Sequence, residues 1–537
     1  MSVRSSTSDT TVRSSSPWGP LAQPIFRAVW LAALASNIGT LMQGVAAAWL
    51  MTALTTSPAP VALLTTMANL PLFLVGLPAG ALADVVDRRR LVLLTQIWML
   101  VVASVLGVVA LLGWISPGLL LALTFLISLG GALGAPAWQA IVPQLVPRRD
   151  LPSAVALNSA GFNLARAIGP ALGGLVVAAS GPAAVFLLNA ASFLAVIAVM
   201  ARWRPPPRPQ LERPEPVRSA VAAGLRFARH APPLRAVLVR TAAWIVAASA
   251  LLSLLPVVAA RQLGLDAFGY GVLLGSLGIG AVGGAALMPR LRARWSTDRL
   301  AVGMTLIFAA ALFALAGVRN LLALNAMLVL AGVAWLSVNA FLNVAAQTLA
   351  PAWVQARALG IYLLVSQGGL AAGSALWGLV ADRFGAPVAL AAAGVALIIG
   401  LATVRRWPLL PGDTLDLRPS NHWPAPHFER EPAAEEGPVL VMIDYRVAQE
   451  NQADFCAVMS ELALIRRRDG ATRWRLFRDA ADPERLIETF LVPSWAEYLR
   501  QHERVTVADR AVEERALALR KPGTEAVTSH FIAADSA

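Results

Sequence analysis

The sequence predicts an all-α membrane protein of twelve transmembrane helices, built as two six-helix pseudo-repeats and followed by a small α+β domain. Three observations carry that prediction. Between Ile25 and Arg405 the chain holds about a dozen apolar runs. The hydrocarbon layer is about 30 Å thick and a helix rises about 1.5 Å per residue, so roughly 20 such residues suffice for one crossing. The second half of this region repeats the first at an offset of about 204 residues, the separation of Gly169 from Gly373. Leu145 to Val176 agrees with Leu349 to Val380 at about ten of some thirty-two positions, including Pro147 with Pro351 and Gly174 with Gly378. After Arg406 the apolar runs stop and charged residues take over.

Taken in order, residues 1–24 are polar and Ser/Thr-rich, with no apolar core for a signal peptide, and are expected to form a disordered cytoplasmic tail. The first bundle, 25–201, is predicted with spans 25–52, 59–83, 91–113, 117–141, 153–178 and 182–201. A cytoplasmic loop, 202–235, follows. It opens with Pro205, Pro206 and Pro207 and continues into Ser219 to His230, where Val221, Leu225 and Phe227 recur at helical spacing beside Arg226 and Arg229. That stretch is either a helix lying on the membrane surface or a plain tether. The second bundle, 236–405, is predicted with spans 236–260, 267–288, 300–318, 320–349, 357–380 and 386–404. Prolines 408, 411, 424 and 426 mark a linker, 406–437. In the soluble domain, 438–537, strands are expected at 440–447, 472–477, 486–492 and 527–532, with helices at 452–468 and 495–519. The order βαββαβ suggests a ferredoxin-like sheet covered on one face.

Composition narrows the function classes. Of the 537 residues, 57% are hydrophobic and 14% charged, too few charges to cover a soluble protein of this size. The net charge of +13 does not indicate nucleic acid, because the arginines sort by side of the membrane. Arg88, Arg89, Arg90, Arg148, Arg149, Arg290, Arg292, Arg294, Arg299 and Arg357 fall on alternate connections, which places both termini in the cytoplasm by the positive-inside rule. A single cysteine, Cys456, excludes an internal disulfide and a multi-cysteine metal site. No metal and no cofactor are expected. A duplicated membrane bundle points to a transporter with its site near the midplane, between the repeats.

Polar groups inside a membrane are costly and mark function. At depth lie Asn37, Gln43, Asn69, Gln96, Asn158, Asn163, Arg166, Asn339, Asn343 and Gln367. Arg166 is about thirteen residues into its span, roughly 20 Å of helical rise, too deep to reach the headgroups easily. It either faces a central cavity and attracts anionic or oxygen-rich groups, with Asn163 and Gln367 as facing partners, or is a structural arginine bonded to helix carbonyls. The substrate-binding set expected is Asn37, Gln43, Asn163, Arg166, Asn339, Asn343 and Gln367. In the connection after the second span, Gly80 is expected to allow close helix approach and Asp84 to cap or pair with arginine, with Arg88 and Arg89 beside them. Around Pro170, the small residues Gly169, Gly173 and Gly174 favour tight packing and a bend. These eight form the expected gating set.

The run Gly80 to Arg90 resembles the loop signature of the major facilitator superfamily, with Val85 where a basic residue is usual and Asp87 where glycine is usual. Gly169-Pro170-Ala171-Leu172-Gly173-Gly174 is similar to an element of that superfamily's drug-exporting antiporters. A finer resemblance is to its enterobactin-exporter-like branch. It rests on Ser36 to Thr40 with Gln43, on Pro143 to Pro147, on Asn163 with Arg166, and on Gln367 to Gly369 with Gly373 to Gly378. The tail, with Arg467 to Gly470 and Ser494 to Tyr498, resembles an antibiotic-biosynthesis-monooxygenase-like domain. The resemblance implies export of a siderophore, drug or metabolite as small-molecule substrate from the inner membrane, in contact with lipid.

Coupling is read by elimination. No Asp or Glu lies mid-span, and Asp84, Asp150 and Asp382 sit at span ends. No ATP-binding loop occurs. A proton-driven secondary exporter is the working expectation, with protons as partner and Asp84 the residual carboxylate. The rival reading is a membrane-anchored enzyme using His502, Trp474, Trp495 and Tyr498 of the tail; the favoured one is a regulatory or self-associating tail.

Overall fold

A computed structural model describes residues 18–204, 217–409, 415–423 and 432–534, without the side chains of residues 77, 81, 83–85 and 217–221. Residues 1–17 of the disordered tail expected over 1–24, the prolines 205–207, 411, 424 and 426, and the side chain of Asp84 lie outside these residues. The rest of that tail is instead ordered, with a 3-10 turn at Gly19–Ala22 leading into a helix that starts at Pro24.

Eleven helical stretches among the described residues are long and apolar enough to cross a membrane. They comprise α1 (Pro24–Leu54), α2 (Pro58–Val85), α3 (Arg88–Leu111), α4 (Pro117–Ile141) and α5 (Leu151–Arg202) in the first half. After the shorter α6 (Val217–His230) come α7 (Pro232–Val257), α8 (Ala267–Arg292), α9 (Thr297–Gly317), α10 (Leu321–Thr348), α11 (Gln355–Phe384) and α12 (Ala386–Gly400), which a short α13 (Ala402–Arg406) extends. Starts are marked as physics requires. Proline occupies the first turn of α2, α4 and α7, where a missing N–H costs nothing. Asp87, Ser116, Asp266, Ser296 and Asn320 accept the free backbone N–H groups of the next helices.

The 52 residues of α5 are not one rod. Gly181 takes φ 78° and ψ 169°, a backbone that only glycine adopts at no cost, and Pro182 starts a new helical segment. A β-carbon on Gly173 would meet Met42 Cα at 2.8 Å, while Asn189, sixteen residues later, donates to Gln43 Oε1 at 2.6 Å. Gly173 and Asn189 thus reach adjacent residues of α1 from equal distances either side of Gly181, so the chain folds back there.

The halves meet along two seams. On α8, Gly271 faces the carbonyl of Pro170 and Gly278 faces that of Arg166, while Gly378 of α11 abuts Ala59 and Ala62 of α2. At one end these seams are tied by polar contacts between connections. Arg261 donates to the carbonyls of Thr55 at 2.6 Å and Thr56 at 2.5 Å, and Ser57 bonds Asp382. At the other end Arg88 donates to Ala140 O and Arg89 to Met200 O and Ala201 O, all within the first half.

The tail is an antiparallel sheet of β1 (Val439–Arg446), β2 (Thr472–Arg478), β3 (Arg485–Val492) and β4 (Val527–Ile532), in the order β2-β3-β1-β4. Leu440 pairs with both Leu491 and Phe531 across β1. Its covered face holds Val441, Tyr445, Phe490 and Val492 against α14 (Gln452–Asp469) and two further helices. The single helix expected over 495–519 is two, α15 (Trp495–Arg504) and α16 (Val507–Ala518). Thr506 and Asp509 form a reciprocal capping box that restarts the chain between them.

The helix α6 is not a plain tether. It is wedged between the tail and the second half. A β-carbon on Gly224 would stand 3.1 Å from Arg357 Cβ, and Phe227 packs edge-on to Trp353 at 5.8 Å. The tail closes over it: Arg226 pairs with Glu497 at 3.0 Å, Arg468 lies over Phe227, and Arg504 lies 4.8 Å from the Trp353 ring centroid.

Candidate functional site

A cavity of about 580 Å³ lies between the halves, bordered by α1, α2, α4 and α5 on one side and by α7, α8, α10 and α11 on the other. The repeat is visible in its walls, since Leu41 and Ile245, Ala48 and Leu252, and Arg166 and Leu370 are each 204 residues apart and all border it. One half therefore brings a guanidinium where the other brings an isobutyl group. Arg166 reaches the wall from the mid-part of α5, where the close approach of its own carbonyl to Gly278 fixes the backbone. Its guanidinium lies 5.2 Å from the centroid of Phe162, and no carboxylate borders the cavity among the described residues. A cation without a counter-charge in a low-dielectric site attracts an anion strongly.

Asn339 and Gln367 also border the cavity. Asn339 Nδ2 donates to the Trp335 carbonyl one turn back at 2.8 Å, which leaves its oxygen for a ligand. Gln367 Nε2 donates at 3.2 Å to Asn69 Oδ1, across the boundary between halves. Gln367 is thus held by Asn69 of α2, whereas Asn163, expected with Gln367 as a hydrogen-bonding partner at the cavity beside Arg166, does not border it. Around them Tyr270, Trp335 and apolar side chains complete the wall, and Tyr270 stacks on Trp49 at 6.2 Å.

Three other expected binding residues lie elsewhere. Gln43 is 6% exposed and bonded to the fully buried Asn189, so its amide satisfies a core partner of the first half. Asn37 borders a different pocket, inside the first half. Asn343 lies one turn beyond Asn339 on the same face of α10 but outside the cavity lining, and its Oδ1 accepts from Gln347 Nε2 at 2.5 Å. Asn189 escaped notice because its span reads as apolar apart from that amide and Ser192, and nothing in the sequence pairs it with Gln43.

Of the expected gating residues, Gly169 faces Leu41, Gly173 faces Met42, Gly174 faces Ala267 and Gly271, and Pro170 borders the cavity. Gly80 departs from expectation: a β-carbon there would meet nothing within 4 Å among the described residues, which show no close helix approach to it in this conformation. Asp87 has an evident task, capping α3 by accepting from Arg90 N at 2.9 Å. Arg88 and Arg89 sit on helix-terminal carbonyls, where a cation is favoured by the helix dipole.

In the tail, Tyr498 of the rival reading packs against Trp495 and His502 at 5.0 Å each, while His502 Nε2 is buried without a hydrogen-bond partner among the described residues. Trp474 donates to Glu488, Trp495 is 2% exposed, and Tyr498 hydroxyl bonds His530 Nε2 at 2.6 Å. Burial pushes the Tyr498 hydroxyl up to about 12. Partial burial would raise the Glu513 carboxyl, yet the charge of Arg466 and hydrogen bonds from His422 and Trp423 hold it down to about 2. No group of three or more His, Cys, Asp or Glu able to hold a metal occurs among the described residues.

Comparison with known proteins agrees with this geometry. A family profile described as "Transmembrane secretion effector" matches residues 15–537, tail included. The enterobactin exporters of Shigella boydii and Escherichia coli are 30% identical over 406 residues, covering 72% of this chain and 94% of theirs. An uncharacterized MFS-type transporter of Sinorhizobium fredii is 27% identical over 354 residues, covering 65% of this chain and 86% of its own. Among solved structures, a bacterial homolog of the human lysosomal transporter Spinster, inward-facing and unoccupied, superposes with a TM-score of 0.59 at 17% identity. It covers 72% of this chain and 98% of that one. The nucleoside transporter NupG gives a TM-score of 0.53 at 13% identity, covering 72% and 99%.

Proposed function

The chain belongs to the transmembrane secretion effector family of MFS-type transporters, and from that premise we propose that it exports a small oxygen-rich or anionic molecule by alternating access. It is a multi-pass membrane transporter and not an enzyme, as its relatives and fold neighbours are transporters. The observation that carries the finer reading is Arg166, a cation with no carboxylate beside it in a cavity lying between the two repeats and tied shut at one end. Charge and hydrogen-bonding groups favour a siderophore or other oxygen-rich metabolite over a cationic drug, which Arg166 would repel.

The reversal at Gly181 supports counting α5 as two crossings, which gives twelve and returns both termini to one side. With the arginine distribution that side is the cytoplasm, the membrane is the inner one, and the cavity of this conformation is accessible from within. The sheet order supports a ferredoxin-like tail. Its seat on α6 and Trp353 supports a regulatory role, with self-association as the other use of the same domain. The proton gradient is the proposed drive, with Asp84 and the Ser57-bonded Asp382 as the carboxylates at span ends.

The deciding experiment compares accumulation in cells with and without the protein, using catecholate siderophores and cationic dyes in parallel. Lower retention of the siderophore alone is the expected result; lower retention of the dye alone would overturn the substrate class. Export that persists in sealed vesicles after collapse of the proton gradient would overturn the drive.

A further inference from the structure

Each half of the bundle has a pocket of its own, apart from the cavity between them, and the repeat shows how the two differ. In the first half, a pocket of about 310 Å³ is bordered by α1, α3, α4 and the returning part of α5. In the second half, α7, α9, α10 and α12 border the corresponding place. Ser36 corresponds to Arg240, Thr40 to Trp244, Phe193 to Leu397 and Val196 to Gly400, each at the separation of 204 residues. There the space is filled by the chain itself. Arg240 is 6% exposed and paired with Asp298 at 2.5 Å, Trp244 packs on Phe308 at 5.1 Å, and about 30 Å³ remains.

The first half carries no such plug, because serine and threonine stand where arginine and tryptophan fill the other. The resulting pocket has hydrogen-bonding walls but no charged side chain. Its lining includes Gln96, whose Oε1 is buried and has no partner among the described residues. An acceptor left unpaired in the membrane interior favours any occupant that donates to it. Trp138 and Phe193 supply aromatic walls. A cavity of about 150 Å³ is known to admit benzene, so one about twice as large admits a substituted ring. A charged guest would find no counter-ion there and is disfavoured.

We infer that this pocket binds an uncharged, hydroxyl-bearing aromatic molecule of about ten non-hydrogen atoms, its hydroxyl donated to Gln96 Oε1 and its ring against Trp138 and Phe193. The site is separate from the cavity that holds Arg166, and its occupant holds α1, α3 and α4 together from inside the first half.

Equilibrium dialysis of the full chain in lipid nanodiscs, with resorcinol as the uncharged probe and benzoate as the charged one, tests the site. Resorcinol is expected to bind saturably at one per chain and benzoate at least tenfold more weakly. Arg166→Gln leaves resorcinol binding unchanged, Gln96→Leu weakens it at least tenfold, and Thr40→Trp, which supplies the side chain of the equivalent position, abolishes it. Should Thr40→Trp fail to fold, Gly131→Val fills the pocket from α4, where a β-carbon meets only Met99 Sδ at 3.9 Å. No saturable binding of resorcinol by the unmodified protein overturns the site. So does binding unaffected by both Gln96→Leu and Gly131→Val, or binding lost in Arg166→Gln, which would place the probe between the halves.

Discussion

A β-carbon on Gly174 would stand 3.1 Å from Gly271 Cα, across the boundary between the two halves, and 2.5 Å from the Ala267 carbonyl oxygen. Backbones this close leave no room for a side chain, so the tied end of the transporter can form only with glycine at both positions. Substituting Gly174→Val is expected to cost this arrangement about 1–3 kcal/mol of overpacking. That shifts the balance toward the alternative arrangement by roughly 5- to 150-fold. Ala267 is 3% exposed, so maleimide labelling of Ala267→Cys, with Cys456 replaced by serine, reads the seam. Labelling no faster in the Gly174→Val background would show that the seam does not govern closure.

Arg166 borders the central cavity without a carboxylate beside it, and hydrogen bonds to charged groups contribute about 1.5–3 kcal/mol. Replacing it with glutamine should raise the transport KM by roughly 10- to 100-fold for an anionic substrate, with the amount of inserted protein unchanged. Arg166→Lys should retain part of the affinity, since the charge survives but the planar fork is lost. Unchanged KM in Arg166→Glu would exclude contact between this residue and the substrate.

Gln43 and Asn189 are a buried amide pair in the first half, and their loss should be felt in stability rather than in transport affinity. Asn189→Leu leaves Gln43 Oε1 without its donor, at a cost of about 1–3 kcal/mol. The double variant Gln43→Leu with Asn189→Leu should recover part of that loss, because both polar groups are then gone. Thermal unfolding midpoints of the three variants provide the check, and a KM change in Asn189→Leu at unaltered midpoint would return Gln43 to the binding site.

This pair also marks where sequence reasoning stops. The offset that aligns Gly169 with Gly373 made the two-fold plan and a site between the repeats legible, but not the share of α4, α7 and α8 in its walls. Which face of α1 is lined by substrate was not legible: in lipid a helix is apolar all round, so periodicity does not separate Gln43, which faces the core, from Leu41, which faces the cavity. Gly271, Gly275 and Gly278 stood in the sequence at helical spacing, but their meaning depends on α5 lying across them. The break between α15 and α16 was legible in Thr506-Val507-Ala508-Asp509, a capping signal that the apolar pattern on either side concealed.

Acid should loosen the tail in two stages. Burial holds His502 and His530 below the usual 6.5, and for His502 the charges of His530, Arg466 and His422 add to it. A histidine kept neutral by folding contributes its full stability above about 6.5 and loses it as pH falls below that value. Glu513, held at about 2 against an ordinary 4.5, contributes on the order of 3 kcal/mol above pH 4.5, which is lost as pH falls from 4.5 toward 2. Protection factors of β1 and β4, corrected for the intrinsic exchange rate at each pH, should therefore fall between pH 7.5 and about 5.5, and replacing both histidines with phenylalanine should flatten that slope. Equal protection across this range would refute the assignment.

Glu497 is the point through which the tail holds the membrane half. It accepts from Arg504 at 2.7 Å and from Arg500 and Arg226 at 3.0 Å, and only Arg226 belongs to α6. Burial alone would raise its pKa, but the hydrogen bond and charge of Arg504, with those of its neighbours, hold it below the ordinary carboxylate value. Arg504 has a second anchor inside the tail, the Asp469 carbonyl at 2.7 Å, so the sheet and its helices should survive removal of the negative charge. The contact with α6 has less support: once Glu497 is neutral, Arg226 and Arg504 face each other without the carboxylate that joins them, and Arg468 over Phe227 and Arg504 over Trp353 are left to hold the seat. Glu497→Gln should thus weaken docking by about 1–3 kcal/mol while leaving tail unfolding nearly unchanged. Hydrogen exchange reads the two separately, quickening roughly 5- to 150-fold over 222–230 and remaining slow in β1 and β3. Were β1 to quicken equally, Glu497 would be a core residue of the tail and no hinge between tail and bundle.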